Sequence, residues 1–144
     1  MAIPRLAAVT SWCLQLLIAV ILFQTLFFKF TGAEESKYIF RTLGLEPAGC
    51  IATGLAELIA VILLLTPRAA ILGGMLSFGM ISGAIVSHLT KLGIVVQDDG
   101  GLLFGLALTV FAASAALLVI RRAELPVIGA AWAAHERRKT QGVV

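Results

Sequence analysis

The residue in this chain hardest to explain as packing is Glu57, set in the run "GLAELIAVILLL" from Gly54 to Leu65. A carboxylate in the middle of such a run costs on the order of 3 kcal/mol to place in hydrocarbon, so it must face other protein and find a partner there. Helical spacing puts Cys50, Thr53, Gly54 and Glu57 on one face, at offsets of seven, four and three residues from the acid. Small and polar groups thus lead from Glu57 toward one end of its segment. Gln24, Thr25 and Lys29, late in the preceding apolar run, and His88, late in the following one, can complete the cluster; Thr25 and Lys29 are four apart and share a face. There Glu57 is a candidate proton donor or acceptor, and Lys29, His88, Gln24, Thr25, Thr53 and Cys50 are candidate ligand-binding groups. Each has a plainer reading too: a packed, protonated acid bonded to a backbone carbonyl, and cations that mark helix ends at an interface.

The elements that position these residues follow from composition. Of 144 residues, 60% are hydrophobic and 13% charged, and the mean hydropathy is +1.02. Such values exclude a soluble domain of this size and imply an integral membrane protein. Ser11 to Phe28, Ala48 to Leu65, Ala69 to Leu89 and Leu102 to Ile120 are each long enough to cross a hydrocarbon core of about 30 Å as helices. Continuous apolar runs fit helices rather than barrel strands, which would alternate. The fold class is therefore an all-α membrane protein: an antiparallel bundle of four transmembrane helices over residues 1–122, with a cytoplasmic basic tail over 123–144. The first run could instead be the apolar core of a signal peptide, with Arg5 ahead of it and Thr31-Gly32-Ala33 as a cleavage site; a retained span is expected.

Seven of the eleven basic residues (Arg5, Arg68, Arg121, Arg122, Arg137, Arg138 and Lys139) fall on the side of the termini, against Lys29, Lys37, Arg41 and Lys91 on the other. That bias places both termini in the cytoplasm. The net charge of +3 is accordingly a topology signal that calls for no nucleic-acid partner. In the tail, Trp132 with Arg137, Arg138 and Lys139 suits a segment on an anionic leaflet.

Local signals fill in the connections. Thr66 is placed to cap the third span and Pro67 to open it, which predicts a tight helical hairpin. The stretch from Thr31 to Gly44 begins with a capping-box pattern, Thr31 to Glu34, and predicts a short amphipathic outer helix, either an interfacial anchor or a lid. Ile94-Val95-Val96 is a short β-prone run, and Asp98 or Asp99 can cap the fourth span. Small residues at four-residue spacing (Ala69, Gly73, Ser77; Gly79, Gly83, Ser87; Gly101, Gly105, Thr109, Ala113) predict close helix packing, with self-association as a further use. Cys13 and Cys50 fall at opposite faces of the bilayer, too far apart for a disulfide. No metal, haem, iron-sulfur or nucleotide motif is present, so no intrinsic cofactor is expected.

The segments "FQTLFFKFTG", "GLAELIAVILLLTPR" and "MISGAIVSHLTKLG" resemble the DoxX family of small four-helix bacterial membrane proteins over roughly residues 14 to 120. The resemblance implies a bacterial cytoplasmic (inner) membrane location, with Lys29, Glu57 and His88 as the family-like polar positions. It also implies a link to thiosulfate oxidation coupled to quinone, or to oxidative-stress responses. Three functions stand as expectations. The first is an oxidoreductase subunit that binds a quinone in the outer half of the bundle, where Lys29, His88 or Gln24 donate to its carbonyls, Glu57 supplies a proton, and a partner protein carries the redox centre. The second is a transporter or binding protein for a small solute, and the third a non-catalytic assembly scaffold, with a homo-oligomer as one form.

Overall fold

The computed structural model describes residues 4–125, together with 135 and 137–139. These residues form α1 (Arg5–Phe30), α2 (Glu34–Thr42), α3 (Ala48–Leu65), α4 (Ala70–Ser87) and α5 (Leu102–Ile120). A π-helical turn, His88–Leu92, continues α4, and one 3₁₀ turn, Arg122–Glu124, follows α5. Among the described residues there is no strand, so Ile94-Val95-Val96 is not one; Val96 is buried while Ile94 and Val95 are exposed. Among the described residues four helices, α1, α3, α4 with its π turn, and α5, are long and apolar enough to cross a membrane. The surface-lying tail expected around Trp132 lies outside the described residues.

Helix α1 packs on α3 and α5, α3 on α4, and α4 on α5, which closes a ring around Ile18, Leu22, Ala60, Leu64, Val110 and Leu117. Large apolar side chains also cover the outside, among them Val20, Phe23, Ile59, Ile62, Leu108 and Val119. A helix that is apolar on every side gains little by exchanging hydrocarbon for another helix, so close contact and dispersion must hold the bundle. Gly73 supplies that contact. A Cβ there would lie 2.7 Å from the Leu64 backbone nitrogen and 3.1 Å from the Ala60 carbonyl oxygen. Gly74 does the same beside the Leu117 side chain, at 3.1 Å, and Ser77 is fully buried with its hydroxyl donating to the Gly73 carbonyl at 2.8 Å.

The other two small-residue stripes face mostly outward, although Ala113 of the α5 stripe is in the core. A Cβ added at Gly79, Gly83 or Gly105 meets nothing within 4 Å. Pinched together at Gly73, close to the short turn that joins them, α3 and α4 part farther along. Spacing alone does not distinguish a stripe at the pinch from one at the gap.

The turns correct two further expectations. Thr66 does not cap α4: its hydroxyl turns back to the Ile62 carbonyl, 2.8 Å away, and closes α3. Thr31 likewise bonds back to Phe27, at 2.9 Å, so no capping box opens α2. In both cases the i−4 carbonyl of the preceding helix takes the hydroxyl proton. Gly32, at φ +69°, and Gly44, at φ +72°, end α1 and α2 in the left-handed conformation. There the amides of Ala33 and Leu45 reach back to the carbonyls of Phe28 and Phe40, at 3.1 and 2.8 Å. Asp99 is the aspartate that caps α5, since its carboxylate accepts from the amides of Val96, Gly101 and Leu103 at 2.8 to 2.9 Å.

Candidate functional site

Lys29 is in the last turn of α1, held there by the Gly32 stop and favoured by the negative end of the helix. Glu57 is near the middle of α3 and is only 8% exposed. The Lys29 ammonium donates to Glu57 Oε1 in an ion pair. Oε2 of the same carboxylate is buried and accepts no hydrogen bond. The Thr25 hydroxyl lies beside the carboxylate, yet its own proton goes to the Leu22 carbonyl at 2.9 Å.

The pair opens on a cavity of about 340 Å³ between α1, α3, α4 and α5. Most of its wall is apolar, from side chains such as Ile21, Leu22, Met80, Leu106 and Val110. Its polar lining consists of Thr25, Lys29, Ser36, Thr53, Glu57, Ser87 and His88. Helix α2 covers one end of the space with Ser36, Ile39 and Phe40, of which Ser36 and Phe40 are buried. An apolar hollow with a few convergent polar groups is the usual form of a small-molecule site.

His88 opens the π-helical turn that extends α4 to Leu92. The ring is buried, edge-on to Phe104 with centroids 5.5 Å apart. Nδ1 lies 2.8 Å from the Gly93 carbonyl oxygen. A carbonyl only accepts, so Nδ1 carries the proton, and a neutral ring keeps Nε2 as an acceptor.

Of the residues singled out from sequence, Thr25, Lys29, Thr53, Glu57 and His88 line this one cavity. Gln24 and Cys50 do not. Gln24 is exposed on the outside of α1, and the Cys50 thiol faces the Lys29 carbonyl at 3.9 Å. Gly54 leaves room for the Phe30 ring, 3.3 Å from where its Cβ would be, so that part of the face serves packing. Both cysteines are free thiols. Among the described residues no group of three or more His, Cys, Asp or Glu side chains could hold a metal ion.

A second polar cluster escaped sequence reasoning, which treated Arg121 only as a topology charge. Arg121 is 7% exposed. Its Nε donates to Ser11 at 2.8 Å, and its Nη1 donates to the Pro67 carbonyl and to Glu124, each at 3.0 Å. The fully buried Gln15 donates to the same Ser11 hydroxyl at 2.8 Å. The signal was there: Ser11 and Gln15 are polar, four apart, and inside an apolar run.

No protein-family model, no curated protein and no solved structure matches the chain. The functional reading therefore rests on the site itself.

Proposed function

We propose that this chain is a DoxX-like multi-pass membrane protein that binds a quinone-like amphipathic small molecule, and that it serves as the membrane subunit of a redox system whose redox centre belongs to a partner protein. The observation that carries this reading is the Lys29–Glu57 ion pair at the wall of an apolar cavity, with one carboxylate oxygen left without a partner. A pair needed only for packing would be enclosed on all sides, whereas this one borders space that a ligand can fill. Lys29 can donate to a ligand oxygen, and the Glu57 carboxylate can take up its proton.

In this reading the helices run antiparallel, both termini are cytoplasmic in a bacterial inner membrane, and α2 lies at the outer surface as a lid on the cavity. Supporting it, Cys50 near the start of α3 lies against Lys29 at the end of α1. The basic residues favour the side of the termini seven to four.

The test is gentle purification of the full chain, followed by identification of the lipid-soluble molecules that accompany wild type and the Lys29→Met/Glu57→Leu double variant. A quinone-like molecule enriched with wild type and absent from the folded double variant is expected. The same lipid extract from both would sink the reading. A scaffold function is the second reading, favoured by the open glycine faces at Gly79, Gly83 and Gly105. A change of oligomeric state on Gly79→Ile would select it.

A further inference from the structure

We infer that, among the lipid-soluble molecules the cavity takes, those whose polar end donates a hydrogen bond, an alcohol, phenol or quinol, are held more tightly than the matching ether or carbonyl compound, with that donor on Glu57 Oε2. The inference rests on the ligand-binding reading above and specifies which chemistry the site takes.

Glu57 Oε1 is occupied by Lys29, and Oε2 is buried without a partner. The Thr25 hydroxyl, beside the carboxylate, spends its proton on Leu22. The His88 Nδ1 proton is spent on the Gly93 carbonyl. The buried atom at the wall with no partner at all is therefore an acceptor, which is costly without a donor. A ligand carbonyl could accept from Lys29 but would set a second acceptor beside Oε2. A hydroxyl can accept from Lys29 through its lone pairs and donate to Oε2 through its proton, so it satisfies both members of the pair at once.

The requirement for a lipid-soluble body comes from the walls. The buried Ser36 and Phe40 of α2 close one end. Gly83 lines the cavity yet is exposed, and a side chain there would meet open space. The gap beside α4 thus opens sideways, on a face where neighbouring side chains such as Val86 are apolar and exposed.

The experiment measures binding of a para-alkylphenol and of its methyl ether to the detergent-solubilised full chain by native mass spectrometry, for wild type and Glu57→Gln. The phenol should bind wild type at least about tenfold more tightly, as expected where a site's buried polar group is left unpaired by the wrong ligand. In Glu57→Gln the amide oxygen can stay on Lys29, which turns the amide NH₂ toward the cavity. The phenol-to-ether ratio should then fall by about tenfold or reverse. The wild-type comparison stands even if the variant does not fold. Equal affinities in wild type, or a preference for the ether, would overturn the inference while leaving the binding reading intact. No binding of either compound would overturn both.

Discussion

The bundle has a polar cluster at each end, and the two are built oppositely. At the Arg121 end, Arg121, Ser11, Gln15, Glu124 and the Pro67 carbonyl are joined by direct hydrogen bonds, and no cavity-lining residue comes from this group. At the other end Lys29 and Glu57 pair across a cavity, and a carboxylate oxygen remains unpaired. The difference teaches what each charge is for. Arg121 ties together the start of α1, the turn between α3 and α4, and the end of α5, three places distant in sequence. Its five donors suit it to hold several acceptors at once. Lys29 and Glu57 tie only α1 to α3 and leave their remaining capacity facing space.

Replacement at the two ends should therefore separate stability from binding. The largest effect is expected for Arg121→Ala, which takes one donor from the buried Ser11, leaving it only Gln15, and removes the donors to the Pro67 carbonyl and Glu124. A loss of about 3 kcal/mol is expected in denaturant unfolding of the solubilised protein. By contrast the Lys29→Met/Glu57→Leu double variant should unfold within about 1 kcal/mol of wild type, because apolar residues can replace a buried pair without penalty. It should lose only the ligand. If the double variant falls as far as Arg121→Ala, the contrast between the ends collapses and Glu57 is structural.

A second experiment tests the pinch and the gap. Gly73→Val forces a side chain against the α3 backbone and should cost about 2 kcal/mol, whereas Gly83→Ala, which meets nothing within 4 Å, should change unfolding by less than about 0.5 kcal/mol. Equal costs would mean that α3 and α4 pack alike along their whole length.

The smallest effect is at Asp99, in the loop before α5. Its carboxyl is held below the ordinary aspartate range, foremost by the Leu103 amide and then by those of Val96 and Gly101, with burial opposing. A depressed acid stabilises the fold above the unfolded value of about 3.9 and loses that contribution as pH falls through and below it. Wild type should thus lose stability between about pH 5 and the depressed value, whereas Asp99→Ala should lack this loss and be weaker by about 1 kcal/mol at neutral pH. An unfolding midpoint of Asp99→Ala that tracks wild type through this acid range would remove the cap from the account.

Much of the fold was legible in the chain. The four long helices, the glycine stop at Gly44, and an aspartate cap before α5 follow from local rules, because apolar length and turn residues act within a few positions. The bounds of α3 and α5 coincide with the apolar runs read from sequence. Side-chain capping by Thr66 and Thr31 was misread, since a hydroxyl at a helix end has a carbonyl behind it as well as an amide ahead. At the site, five of the seven residues singled out line one cavity, because an acid or a lysine in hydrocarbon has few places to go.

By itself the sequence determined how many helices can span a bilayer, where they stop, and that Glu57 must turn inward, all consequences of the cost of polar groups in hydrocarbon. Only the tertiary structure decided that Lys29 is its partner, that Gln24 and Cys50 do not line the cavity, and that Arg121 is buried rather than a surface charge. Those outcomes depend on how each helix is rotated and where neighbours pinch or part. Contacts between residues as distant as Ser11 and Arg121 fix that geometry, and no local pattern encodes it.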